Sequence, residues 1–170
     1  MLFLRKIERR KWLPPDDETW LELGDIPADP LGDLRTSGNA LSIWHIEDDQ
    51  SNLSKVVVGN AATLGNVRNF EYSLFEGGVL ADLGLTFVQN KGESFDSEAN
   101  EKWHWEIVQL SGDRLLDLAK VLLPLSDGRK TVFLAEVEQL IVQAVSTKRI
   151  EFRRLKEGIQ KSIRPFLPHT

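Results

Sequence analysis

The stretch NALSIWHIEDDQSNLSKVV, residues 39–57, places the strongest strand signal of the chain directly before a helix. Its first part, ALSIWHI (40–46), alternates between two faces that are both largely apolar. This pattern predicts a central strand that is covered on both sides of its sheet. Residues 51–64 then follow helical spacing, and Asp49 or Ser51 is available as the N-cap. The stretch therefore predicts a buried strand that turns sharply into a helix.

Periodicity predicts further elements on both sides of this stretch. An alternating apolar pattern predicts a strand at the start of residues 2–13 and another at 85–89. Residues 14–38 are rich in Pro, Gly and Asp but carry large apolar anchors, which predicts an ordered wrapping segment ending in a turn at Ser37-Gly38-Asn39. Helical spacing predicts four more helices: 76–83, 113–123, 132–146 with Thr131 as its N-cap, and about 151–163.

Residues 98–110, EANEKWHWEIVQL, fit both a helix and a strand. Asp96 and Ser97 are available as caps, and Glu98 can pair with Lys102 one helical turn later. The second half, WHWEIVQL, alternates like a strand. We expect a helix over the whole segment, with a strand as the alternative.

Together these elements predict an α+β fold. A small sheet is expected in the N-terminal half, with a helical C-terminal half packed on it or beside it. Residues 1–130 are expected to form the α+β core domain, and residues 131–170 a C-terminal basic helical hairpin that belongs to the same domain. The length of 170 residues is that of one ordinary domain with its own hydrophobic core.

The composition excludes several classes of protein. Hydrophobic residues make up 41% of the chain and charged residues 28%, which is typical of a globular protein rather than a disordered one. The sequence contains no cysteine, so disulfides, thiol catalysis and thiolate metal sites are excluded. No apolar segment approaches the roughly 20 residues of a membrane span, and the start MLFLRKIERRKWL is a poor signal peptide. We therefore expect a cytoplasmic protein without membrane contact.

Charge is distributed unevenly along the chain. Residues 1–11 hold five basic residues against one acidic residue, and residues 148–170 hold seven against two. The remaining centre, residues 12–147, holds 9 basic and 23 acidic residues. The basic ends predict either a surface that contacts phosphate or nucleic acid, or ends that lie over the acidic body or are simply solvated.

The end of the central strand is the first candidate site. His45 is a candidate acid or base because imidazole titrates near neutral pH, and Asp48 and Asp49 are candidate Mg²⁺ ligands. A metal-dependent hydrolase or nuclease-like enzyme would use these three residues at a strand end, a common place for catalytic groups. The structural alternative is that the acidic residues end the strand and cap the helix, where they favour its positive N-terminal dipole.

Two tryptophans, Trp103 and Trp105, form the second candidate site. They flank His104, but the chain has no HExxH motif and only three histidines, so no metal site is predicted. The glycine-containing pieces match neither a Walker loop nor a dinucleotide fingerprint, and there is no G-x-S-x-G, so no cofactor is predicted. The tryptophans therefore indicate either the edge of a core or anchors for a partner, with an exposed apolar patch around them.

The predicted last helix is the third candidate site because it carries Arg153, Arg154 and Lys156. Together with the helix before it, it has the general shape of a helix-turn-helix. The connection lacks the usual glycine and base-reading side chains are sparse, so contact with an acidic protein surface is favoured over contact with nucleic acid.

No motif is specific enough to indicate a family or an enzyme class. We expect a small protein-interaction or regulatory module that binds a protein partner, or a second copy of itself, through the tryptophan pair and the basic C-terminal helix. This role is favoured over an enzymatic one because catalytic motifs are lacking. Catalysis at the strand end and nucleic-acid binding by the last helix are the two alternatives.

Overall fold

The computed structural model describes residues 1–12, 26, 28–123 and 128–167. The chain divides into two compact units, each assembled from three separate segments. The first unit comprises Met1–His45, Glu71–Gln89 and Trp105–Lys130, and the second comprises Ile46–Phe70, Asn90–His104 and Thr131–Thr170. The predicted wrapping segment falls partly outside the described residues, and so do its anchors Trp20, Leu21 and Leu23.

One antiparallel sheet contains the six strands that the described residues form. The strands are β1 (Leu2–Lys6), β2 (Leu41–Ile46), β3 (Phe70–Glu76), β4 (Thr86–Gln89), β5 (His104–Val108) and β6 (Arg129–Val132). Their order across the sheet is β4-β5-β2-β1-β3-β6. Because β2 lies inside the sheet with buried side chains on both faces, the central strand predicted over 40–46 is confirmed.

The described residues also form seven α-helices. These are α1 (Ala28–Asp33), α2 (Leu53–Ala61), α3 (Gly77–Asp82), α4 (Ser97–Lys102), α5 (Gly112–Leu122), α6 (Leu134–Ser146) and α7 (Glu157–Ile163). Short 3-10 turns occur at Arg9–Trp12, Phe152–Arg154 and Arg164–Phe166. The helices predicted near 76–83 and 113–123 are therefore present as α3 and α5.

The core of the first unit is built around Phe3 on β1. The Phe3 ring meets Phe87 edge-on at 5.5 Å between centroids and Trp105 at 5.9 Å, and Phe75 lies 6.1 Å away. Each aromatic contact of this kind contributes about 0.5–1.5 kcal/mol beyond the burial of its area. Buried side chains of α5 belong to the same core: Leu118, Ala119 and Leu122.

A two-residue turn leads the chain into β2, as the Ser37-Gly38-Asn39 cluster predicts. Ser37 and Ala40 exchange both backbone hydrogen bonds at 3.0 Å, and Gly38 and Asn39 between them have φ angles of 58° and 59°. These positive angles are those of a type I′ turn, in which glycine and asparagine are favoured. The turn fixes the direction in which the chain enters the central strand.

The second unit is centred on α2. This helix is buried around most of its circumference, at Val56, Val57, Val58, Gly59 and Ala61. It contacts α4 and α6, and α6 in turn contacts α7. Gly59 allows a close approach to the loop before α4, because an added Cβ atom would lie only 3.0 Å from the Cβ of Asp96. A helix with apolar residues on nearly every side is typical of such a central position.

Residues 98–110 do not form a single helix, so that expectation is wrong. The helix α4 ends at Lys102, and β5 follows. The predicted cap by Asp96 is present: its carboxylate accepts a hydrogen bond from the Ala99 N–H at 3.1 Å at the start of α4. Beyond Lys102, pairing with β4 places Ile107 in the core of the first unit. Such tertiary contacts outweigh helical spacing in a short segment.

The predicted N-cap of α6 is also wrong. Thr131 belongs to β6, and the helix begins only at Leu134. The Leu134 N–H donates to the side-chain oxygen of Asn69 at 2.8 Å. Since Asn69 lies far away in the sequence, no local pattern indicates that it supplies this contact.

The last helix is shorter than predicted. It covers only Glu157–Ile163, and the 3-10 turn Phe152–Arg154 with an extended Leu155 precedes it. Ile150 and Leu155 are both buried. On a continuous helix, residues five positions apart would point about 140° apart. The interruption therefore allows both side chains to enter the core of the second unit.

The α+β fold class is confirmed, with the sheet mostly in the N-terminal half and helices in the C-terminal part. The domain boundary at residue 130 stays a prediction. Within the described ranges, no helix is both long enough and apolar enough to span a membrane.

Candidate functional site

His45 lies on β2, in the first unit, and its side chain is half-buried. The His45 ring meets the Phe3 ring edge-on at 6.2 Å between centroids. Alternation along the strand places it on the same face as Leu41 and Ile43, which belong to the core. These contacts are those of a histidine at the edge of a core, and its catalytic role stays a prediction.

Asp48 and Asp49 lie in the second unit, in a turn that is closed by its own side chains. The Glu47 N–H donates to the side-chain oxygen of Asn52 at 3.0 Å, and the Ser51 hydroxyl donates to the Glu47 carboxylate at 2.6 Å. The Ser51 N–H donates to Asp49 at 2.9 Å, and this hydrogen bond lowers the pKa of Asp49. A general acid or base working at neutral pH needs the opposite shift.

The expected side-chain cap of α2 by Asp49 or Ser51 is wrong. Asn52, rather than Asp49 or Ser51, occupies the N-cap position. Its side chain is engaged with the turn before it, so it makes no capping hydrogen bond to the helix. The acidic stretch therefore forms a hydrogen-bonded turn between β2 and α2 without a side-chain cap on the helix. The catalytic use of Asp48 and Asp49 stays a prediction.

Trp103 is covered by a charged network in the second unit. The side chain is only 7% exposed, and its indole N–H donates to Glu47 at 3.1 Å. The ammonium groups of Lys55 and Lys102 lie 5.4 Å and 6.0 Å from the centre of the ring, and both pair with Glu98 at 2.9 Å. The exposed apolar patch expected around Trp103 is therefore wrong, because lysines cover the ring.

The same network fixes the charge state of Glu98. Hydrogen bonds from Lys102 and Lys55 lower the pKa of Glu98 to about 2, and Glu98 in turn raises the pKa of Lys102. The Glu98 side chain is 34% exposed, so solvent screening limits the stabilisation to about 1 kcal/mol. The network joins α2 to α4 and is a structural feature that the i,i+4 spacing of Glu98 and Lys102 predicts only in part.

Trp105 belongs to the first unit and differs from Trp103 in its surroundings. It is half-buried and packs against the core, with its ring 5.9 Å from Phe3 and 5.9 Å from Phe87. The two tryptophans therefore have different roles in the fold, and their use by a partner stays a prediction.

His104 is the first residue of β5 and contacts the buried polar loop that precedes α4. The side chain is 3% exposed, and Nδ1 lies 2.9 Å from the Asn90 carbonyl oxygen, so Nδ1 carries a proton. The Asn100 amide accepts from the Ser94 N–H at 2.9 Å and donates to the Ser94 carbonyl at 2.8 Å. Among the described residues, no group of three or more His, Asp or Glu side chains is placed to hold a metal ion.

A buried ion pair that no sequence pattern indicates links this loop to the C-terminal segment. Asp96 is fully buried, and its carboxylate lies 2.7 Å from Nε of Arg149. The contact is close but lacks the alignment of a hydrogen bond, so the attraction is chiefly between the two charges. Nearby, the Arg154 guanidinium lies 4.9 Å from the centre of the Phe95 ring. Two arginines of the C-terminal segment therefore hold residues 95 and 96.

Five exposed cations lie close together in the sequence of the C-terminal segment and form a positively charged surface. We define the C-terminal basic surface as Arg153, Arg154, Lys156, Lys161 and Arg164, all of which are exposed. Arg153 pairs with Glu151 at 2.7 Å, but both side chains are largely in solvent. Among the described residues, no carboxylate forms an ion pair with Lys156, Lys161 or Arg164.

The outer side of α7 carries a shallow groove of about 480 Å³, lined by Glu157, Gln160, Lys161, Arg164 and Pro165. These residues share one face because they follow i, i+3, i+4, i+7 and i+8 spacing through α7 and the 3-10 turn after it. The opposite face of α7 buries Ile159 and Ile163. One residue beyond the groove, Phe166 is 61% exposed.

Comparisons with known proteins add no relative to these observations. No protein-family model matches the sequence, and neither the curated proteins nor the solved structures give a match. The comparisons therefore assign the chain to no family.

Proposed function

We propose that this protein is an interaction module that binds an acidic protein surface through its C-terminal basic surface. The single observation that carries the proposal is the set of exposed cations without carboxylate partners, Lys156, Lys161 and Arg164, within nine residues of the chain. Exposed charges of one sign attract a partner of the opposite sign and accelerate its association.

The contrast with Arg149 supports this interpretation. Arg149 lies in the same basic segment, but its charge is used inside the fold, against the buried Asp96. The alternative of basic ends lying over the acidic body therefore holds for Arg149. For Lys156 and Lys161, the described residues offer no such partner. These cations remain available to a second molecule.

Nucleic acid is the competing partner of this surface. Arg153 and Arg154 lie on a 3-10 turn, and α7 contains seven residues, so the two arginines are not on one continuous helix with Lys161, as the helix-turn-helix alternative requires. A compact cluster of this kind suits carboxylates on a protein surface at least as well as a phosphate backbone. A cytosolic location is part of the proposal and rests on the absence of cysteine.

Fluorescence anisotropy tests the proposal with two labelled probes, a polyglutamate peptide and a single-stranded oligonucleotide of equal charge. Both are titrated with the full chain at salt concentrations from about 50 to 500 mM, across which the Debye length falls severalfold. The charge-reversal variant K156E/K161E/R164E is compared with R35E/R68E/K120E, which reverses three exposed cations elsewhere. The two variants have the same net charge.

We expect the wild type to bind polyglutamate more tightly than the oligonucleotide, with an affinity that decreases as salt increases. The K156E/K161E/R164E variant should lose this binding, and R35E/R68E/K120E should retain most of it. Equal losses in both variants would show that only net charge matters, which contradicts the proposal. Tighter binding of the oligonucleotide would identify nucleic acid as the ligand.

A further inference from the structure

The groove on α7 is positive but not uniformly so. Lys161 and Arg164 line it together with Glu157, and Lys156 immediately precedes the helix. Although Glu157 lies one turn before Lys161, the two side chains form no ion pair. The Lys161 ammonium group is therefore available to a ligand, while the Glu157 carboxylate reduces the attraction of the groove for acidic groups.

The arginine of the groove is partly ordered before any ligand arrives. The Arg164 guanidinium lies 5.7 Å from the centre of the Phe152 ring, within the range of a cation–π contact. A guanidinium held on an aromatic face loses less conformational freedom when it binds a carboxylate, because its planar donors are already oriented.

An apolar side chain adjoins these charges. Phe166 follows Pro165, which lines the groove, and 61% of Phe166 is exposed. Among the described residues it is one of five large hydrophobic side chains with high exposure, and the one that adjoins a charged groove in the sequence. Aromatic and arginine side chains together are the residues that most often dominate the binding energy of protein interfaces.

We infer that the α7 groove binds an acidic peptide segment that carries one large apolar side chain beside its carboxylates. The carboxylates would contact Lys161 and Arg164, and the apolar side chain would cover Phe166. This inference rests on the proposed function and specifies the chemistry of the partner. Acidic residues alone would contact Lys161 and Arg164 but leave Phe166 uncovered.

Two peptides of equal length and charge test the inference. One is an aspartate- and glutamate-rich decapeptide with a central leucine, and the other has serine in place of the leucine. Binding is measured by anisotropy with wild-type protein and with the variants F166S, E157Q and F133S. Phe133 is 67% exposed on the same unit and provides the matched control for loss of an exposed aromatic ring. Circular dichroism confirms that each variant is folded.

We expect wild-type protein to bind the leucine peptide about tenfold more tightly than the serine peptide, since burying part of a leucine and a phenylalanine contributes this much. F166S should remove that difference, whereas F133S should preserve it. E157Q should tighten both peptides by about two- to threefold, because it removes the repelling carboxylate from the groove. A gain of affinity is a result that structural damage does not produce.

The outcomes separate this inference from the proposed function. If both peptides bind equally and F166S changes neither, the apolar part of the inference is wrong while the proposed function stands. If neither peptide binds at low salt, both are wrong. If light scattering shows a dimer that F166S dissociates, the occupant is a second copy of the chain and the inference is overturned.

Discussion

The ion pair between Asp96 and Arg149 provides the sharpest test of how the second unit is held together. Asp96 is fully buried, whereas the Arg149 side chain is 28% exposed. Replacing Arg149 by methionine keeps most of the side-chain volume but leaves a buried carboxylate without its cation. Breaking a buried pair in this way costs about 3–5 kcal/mol. Because Arg149 is partly solvated, we expect the lower end, about 3 kcal/mol, for Arg149→Met.

Removing the charge of the other partner, Asp96, should cost less stability. Asp96→Asn removes the charge but retains an oxygen that can accept from the Ala99 N–H and cap α4. The arginine left behind can turn toward water. We therefore expect a loss of about 1–2 kcal/mol for Asp96→Asn, the range for an unmet polar partner. The double variant should be more stable than the sum of the single losses predicts, by at least about 1 kcal/mol.

A matched control is available on the same segment. Arg153 pairs with Glu151 at the same 2.7 Å distance, but its side chain is 86% exposed. Arg153→Met removes the same guanidinium group, but here from a solvent-exposed ion pair, so we expect a loss of stability below about 1 kcal/mol. The two N–O distances are equal, so a larger loss for Arg149→Met cannot come from a shorter contact and is expected from the burial of Asp96.

Urea unfolding monitored by tryptophan fluorescence is the assay, because Trp103 lies in the same unit. A loss of about 3 kcal/mol should lower the urea midpoint by about 1 M or more. The reasoning is refuted if Arg149→Met and Arg153→Met lower the midpoint equally. It is also refuted if the effects of Asp96→Asn and Arg149→Met simply add.

Three further changes have expected outcomes that thermal or urea unfolding can check. Gly158→Ala should destabilise by about 1–3 kcal/mol, because the new methyl group would lie 2.5 Å from the Gly65 carbonyl oxygen. Its control is Gly78→Ala, at the same position of another helix, where nothing lies within 4 Å of the new methyl group. This control should be neutral or stabilising. Lys148→Gly should stabilise by up to about 1 kcal/mol, because position 148 lies just after the C-cap of α6 with φ at 59°, an angle that glycine adopts without strain. Equal stability would contradict this. The pKa of Glu98 is lowered to about 2, so its contribution should be complete above pH of about 4.5 and be lost as pH falls through about 2. Glu98→Gln should therefore destabilise at pH 7 and have a much smaller effect near pH 2.

The sequence predicts those elements whose causes are local. The strand ALSIWHI, the turn at Gly38 and Asn39 and the cap of α4 by Asp96 follow from side-chain alternation, backbone angles and helix-cap chemistry within a few residues. The helix expected over 98–110 is wrong beyond Lys102 because its second half pairs with a neighbouring strand. Local spacing contains no information about that neighbour.

The candidate site shows the same division between local and distant causes. The basic character of residues 148–164 is evident from composition alone. The sequence does not show which of these cations is used inside the fold, because the partner of Arg149 lies at Asp96, more than fifty residues earlier. Of the two lysines over Trp103, Lys102 is its neighbour in the sequence, but Lys55 lies on another helix and no local pattern indicates it.

The division into interleaved segments has a consequence for synthesis on the ribosome. The chain passes between the two units at residues 45/46, 70/71, 89/90, 104/105 and 130/131. The first unit therefore lacks part of its structure until residue 130 has been made, and the second until its last segment, beginning at Thr131, has followed. Domains generally fold as they emerge, N-terminal part first. Here the first unit cannot be completed before residue 130, nor the second before the segment that begins at Thr131, so apolar strands made early must wait for partners that are made much later.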